Sequence, residues 1–121
     1  MKQHSPSPIF VRTYDLLLWL IPCTLKFPRS QRGALARQLQ NEAFSLQRAL
    51  VQAAKRDQLQ ADLQEADIAL TNLRTYLRLS MDLKLISMGQ YKHAAELVSE
   101  VGRLLGGWQK KTPQNQESRG S

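Results

Sequence analysis

Between Gly33 and Gly89 the chain contains neither proline nor glycine. Nothing in that span alternates apolar and polar residues as a half-buried strand does. Leucines and alanines recur instead at intervals of three and four, the spacing of one helix face. A chain with so long an unbroken helical stretch folds by packing helices on helices.

Four predicted helices account for the apolar pattern. In the first, Phe10, Tyr14, Leu17, Leu18 and Ile21 follow helical spacing, and Leu16, Trp19 and Leu20 add a second apolar side. Pro22 lacks a backbone donor, so a kink or an early end is expected there. "FPRS" closes this helix, because the residue before a proline avoids the α conformation. Ser30 is the expected N-cap of the second helix, whose stripe is Leu35, Leu39, Ala43, Leu46, Leu50 and Ala54.

Polar Lys55–Gln58 marks the next connection, with Asp57 as the expected cap of the third helix. Its stripe runs Leu59, Leu63, Ala66, Leu70, Leu73, Leu77, Met81 and Met88, and Gly89 is read as its stop. The fourth helix carries Ala94, Leu97, Val98, Val101, Leu104, Leu105 and Trp108, the cleanest periodicity in the chain. Gly102 and Gly106 lie four apart on it. Each costs about 1 kcal/mol relative to alanine, which a close approach of another backbone would explain; a fraying helix end is the alternative. These readings predict an all-α fold, an antiparallel four-helix bundle over residues 9–111, with tails at 1–8 and 112–121.

Charge narrows the partners. The 121 residues carry 17 Lys+Arg against 10 Asp+Glu, a formal net charge of +7. That balance favours a polyanion such as RNA, DNA or anionic lipid. Residues 28–56 hold six cations and one acid, a net +5, whereas residues 57–89 are net −2. Arg37, Arg48 and Lys55, with Asn41 and Gln52, form a basic face on the second helix, since positions eleven apart realign after about three turns.

On the third helix, with Leu70 at zero, the core residues span about 220° to 20° at 100° per residue. Ile68, Leu79 and Ile86 fall on the opposite side, a surplus that suggests a subunit interface. Asp67, Thr71, Arg74, Arg78 and Asp82 fill the polar strip between. From spacing alone, Arg74 and Arg78 are equally a solvated face, with Asp82 pairing to Arg78, or a grip on phosphate.

No catalytic constellation is present in the sequence. His4 and His93 lack Cys or His partners at metal-ligand spacing, and no glycine-rich phosphate loop, GxSxG or HExxH occurs. Neither enzyme activity, metal nor cofactor is expected. The single Cys23 excludes an intramolecular disulfide and fits a reducing, cytoplasmic compartment, where it would be a small buried apolar residue. "DLLLWLIPC" imitates a lipoprotein signal, but its uncharged apolar run is only Leu16–Ile21. No segment is expected to reach the roughly 18 apolar residues of a membrane span.

"YDLLLWLIP", "FPRSQR" at the first junction, "LRTYLRL" in the third helix and "EVGRLLGGW" in the fourth, in that order and spacing, resemble the accessory variability determinant (Avd) proteins of diversity-generating retroelements. These are similar to the wider four-helix-bundle family named after proteins encoded in ribosomal RNA intervening sequences. The resemblance implies a ring-like homo-oligomer, a pentamer, with a basic surface that binds nucleic acid. It also implies a complex with the retroelement's reverse transcriptase that supports error-prone copying of a template RNA. Through "LRTYLRL" it assigns Arg74 and Arg78 to nucleic-acid contact, and through "FPRSQR" it adds Arg29 and Arg32. Two other readings stay open: a structural oligomer whose charge is incidental, and a ribosomal-RNA-associated bundle without a polymerase.

Overall fold

A computed structural model describes residues 7–56 and 58–112. The elements are α1 (Pro8–Leu25), a short α2 (Arg29–Gln31), a π-helical turn (Arg32–Ala36), α3 (Arg37–Lys55), α4 (Leu59–Asp82) and α5 (Met88–Lys111). The described residues are all helix and connection, without strands. The four long helices pack as α1 on α3, α3 on α4, α4 on α5 and α5 on α1. Ser7–Phe10, Arg56, Trp108 and Lys111 line one cleft. The start of α1 and the ends of α3 and α5 therefore share one end of the molecule, as an antiparallel up-and-down bundle requires.

The core is leucine and alanine in layers. Leu16 and Leu20 of α1, Leu39, Ala43, Leu46 and Leu50 of α3, Leu63, Leu70 and Leu73 of α4, and Val98, Val101 and Leu105 of α5 are almost fully buried. Polar side chains share that interior, Thr13, Thr24 and Ser80 among them. Thr24 donates its hydroxyl to the Ile21 carbonyl and accepts from Gln40 Nε2 at 2.9 Å, linking α1 to α3. The buried Thr13 hydroxyl has no partner among the described residues.

Several sequence expectations give way here. α1 begins at Pro8 and continues through Pro22 to Leu25, so the early end does not occur. Its buried side is Ile9, Thr13, Leu16, Leu20 and Thr24; Tyr14 and Leu18, assigned to the leading stripe, face solvent at 63% and 61% exposure. With apolar residues on both sides, periodicity could not choose between them. α1 is also long and apolar enough, by length and composition, to cross a membrane, contrary to the expected absence of any such segment. Arg12 and Asp15 interrupt it as an ion pair at 3.0 Å.

Ser30 caps nothing. It lies inside α2, and the chain reaches α3 through the π-helical turn, where the Arg37 N–H bonds to the Arg32 carbonyl five residues back. The extra residue in that turn delivers Leu35 and Ala36 together to the core. In α3 the buried alanine at the far end is Ala53, and Ala54 is exposed. The cap assigned to Asp57 lies outside the described residues, as do the tails apart from Ser7, Pro8 and Thr112.

Gly89 does not stop the third long helix. α4 ends at Asp82 in a Schellman arrangement: Leu85 N–H bonds to Ser80 O at 2.8 Å and Lys84 N–H to Met81 O at 2.9 Å. Lys84 takes the left-handed conformation (φ 63°) that glycine usually supplies. Gly89 and Met88 instead open α5, behind a capping box in which Ser87 accepts from the Gln90 N–H and Gln90 from the Ser87 N–H. Ile86, projected onto the outer side of the helix, is buried in the connection.

Candidate nucleic-acid interface

Arg37, Asn41, Phe44, Arg48, Val51 and Lys55 stand three or four residues apart along α3, and all are exposed. They make one stripe opposite the buried leucines. Sequence reasoning found its cations but missed Phe44 and Val51, which are 53% and 36% exposed between them. The intervals of three and four were the available signal. Arg37, Arg48 and Lys55 have no carboxylate within ion-pair distance among the described residues.

Arg74 and Arg78 lie one turn apart on α4 but in different surroundings. Arg78 Nε points at Asp82, 3.3 Å away, with both side chains more than half exposed. Such an exposed pair contributes little stability. Arg74 has no carboxylate partner among the described residues. It edges a shallow cleft between α4 and α5 with Leu77, Tyr91, Ala95, Val98 and Ser99. Its guanidinium lies over Gly102, where an added Cβ would come within 2.6 Å of Nη2.

This contact corrects the reading of the glycines. At Gly102 a side chain approaches, not a backbone, and at Gly106 nothing lies within 4 Å of an added Cβ. It also joins two of the motifs, "LRTYLRL" on α4 and "EVGRLLGGW" on α5. Nothing in the spacing of either motif could have shown that they meet.

The remaining candidates sit at the α1–α2 junction. Arg32 donates from Nε to the Phe27 carbonyl at 3.1 Å and so braces the turn. Arg29 is exposed and makes no ion pair among the described residues. The structure does not gather all seven candidate cations into one patch. α3 lies diagonally across the bundle from α5, so its stripe is separate from the Arg74 cleft.

Other chemistry-bearing groups stay apart. Among the described residues no three His, Cys, Asp or Glu side chains stand together as metal ligands would. Cys23 is half-buried, and burial pushes its thiol above the ordinary range despite the opposing charge of Lys26. His93 packs its ring on Trp19, with centroids 5.4 Å apart.

The class these observations define is a small four-helix bundle with basic outer faces. The bAvd-like family model matches residues 9–112, nearly the whole bundle, and the chain belongs to that family. It is thus an Avd-type protein. A search of curated proteins found no match.

Proposed function

We propose that this protein is a nucleic-acid-binding accessory subunit of a diversity-generating retroelement, acting as a homo-oligomer beside the element's reverse transcriptase in the cytoplasm. It holds template RNA and has no catalytic activity of its own. The family match supports the retroelement and polymerase assignment. One structural observation carries the nucleic-acid part. Of the seven candidate cations, six (Arg29, Arg32, Arg37, Arg48, Lys55 and Arg74) have no carboxylate within ion-pair distance among the described residues.

Arginines left unpaired on a surface repel one another and gain when phosphates arrive. Arg74, unpaired and set in a cleft, is the stronger contact; Arg78 must first release Asp82. The outer face of α1 supplies the assembly surface. Val11, Tyr14, Leu18, Pro22 and Leu25, spaced by three and four, form an exposed stripe without a charge. Ile68 and Leu79 of α4, about half exposed, are a second apolar contribution. In a closed pentamer each cationic face would recur five times, and many weak phosphate contacts would sum to high avidity.

Titration of a labelled single-stranded RNA at two salt concentrations tests this reading. Phosphate contacts make affinity fall steeply with salt, whereas an apolar assembly whose charge is incidental is nearly indifferent. Co-purification with the reverse transcriptase of such a retroelement tests the partner.

A further inference from the structure

A cleft of about 530 Å³ opens at the end of the bundle where α1 begins and α3 and α5 finish. That volume falls within the roughly 300–1,000 Å³ of small-ligand sites. The rings of Phe10 and Trp108, both only half-buried, are among its walls, and Gly107 leaves open space beside them. Arg56, Arg103 and Lys111 supply its charge, and among the described residues no acidic side chain lines it. Arg103 is shared with Glu100 at 2.7 Å, outside the lining. Arg56 and Lys111 make no ion pair among the described residues. Arg56 also holds the left-handed conformation (φ 66°) that terminates α3 at the mouth of the cleft.

We infer that this cleft receives one unpaired nucleotide of a single-stranded nucleic acid, its base against Trp108 and Phe10 and its phosphate at Arg56 and Lys111. The site needs a ligand that is flat and apolar on one side and anionic on the other. A lipid chain makes no use of the rings' flat faces, and a carboxylate peptide would leave the rings uncovered. Base stacking on an aromatic side chain beside a cationic rim is the general means of holding a single strand without reading its sequence. The inference rests on the nucleic-acid reading above but concerns residues outside the α3 stripe and the Arg74 cleft.

The test uses the full chain carrying Trp19→Phe, which leaves Trp108 as the only tryptophan. It is titrated with an eight-residue oligouridylate, with a duplex of the same length and with uridine monophosphate, while tryptophan emission is followed. The expected result is quenching by the oligomer at lower concentration than by the duplex. Read by the anisotropy of a labelled oligouridylate, Trp108→Ala should weaken oligomer binding roughly 5- to 150-fold, the range of one lost stacking contact, and Trp108→Phe should retain most of the affinity. The exposed pair Arg56→Ala with Lys111→Ala should flatten the salt dependence, and it keeps the proposal open to test if Trp108→Ala fails to fold. Oligomer binding with unchanged emission, and unchanged affinity in the arginine–lysine variant, would overturn the cleft while leaving the nucleic-acid reading intact. Monophosphate bound as tightly as the oligomer would assign the cleft to a free nucleotide and overturn the strand. No oligomer binding at low salt would sink both readings.

Discussion

α1 and α3 pack side by side and each buries one face in the common core, yet they present opposite surfaces to solvent. The outward stripe of α1 is Val11, Tyr14, Leu18, Pro22 and Leu25, with no charge; that of α3 is Arg37, Asn41, Phe44, Arg48, Val51 and Lys55, with three cations and no acid. A bundle needs only its inward faces to fold. What differs outside is free to serve contacts with other molecules. An uncharged stripe gains from being covered, and a cationic one gains from meeting phosphate.

The shared inward face should give the largest effect. Leu46, fully buried in α3, should cost about 2–5 kcal/mol on truncation to alanine, because the surrounding layer relaxes only partly. Urea unfolding followed by circular dichroism measures this, and both outer faces should fail together. Leu18→Asp attacks only the apolar stripe. It should reduce the mass found by sedimentation toward the 13.8 kDa of one chain while helicity is retained and the stability of the single chain changes by no more than about 0.5 kcal/mol. An unchanged oligomer in that variant would separate α1 from assembly.

Smaller changes sharpen the picture. Thr13→Val removes a buried hydroxyl that has no partner among the described residues, so a gain of about 1 kcal/mol is expected in thermal or urea unfolding. Lys84→Gly should add about 0.5–1 kcal/mol by relieving the left-handed cap of α4. Gly102→Ala should leave stability level or slightly higher through helix propensity, while pushing the flexible Arg74 guanidinium off its seat. Its readout is RNA affinity at unchanged melting temperature.

Helix number, type and order were legible in the sequence because leucine spacing survives any detail of packing. Ends were less so. Gly89 looked like a stop, but the backbone hydrogen bonds of Ser80–Leu85 end α4 with a lysine in the glycine position. The π-helical turn at Arg32–Ala36 left no mark that propensity could detect. α1 was misread because two apolar sides compete, and only the presence of α3 and α5 decides which is buried. The candidate cations were visible as residue types. Their differences were not: Arg32 braces a carbonyl, Arg78 holds Asp82, and Arg74 lies over a glycine 28 positions further on.

The most direct measurement compares wild type with the combined change Arg74→Ala and Arg78→Ala in binding to labelled single-stranded RNA, at two salt concentrations. The account predicts weaker binding to every sequence and a shallower salt slope, with oligomer mass and helicity retained, since exposed charges add little to folding. Lysine in both places should restore part of the affinity, keeping charge but losing the two-pronged guanidinium contact. Wild-type affinity and an unchanged salt slope in the alanine pair would contradict it, and would make these arginines no more than the solvated side of α4.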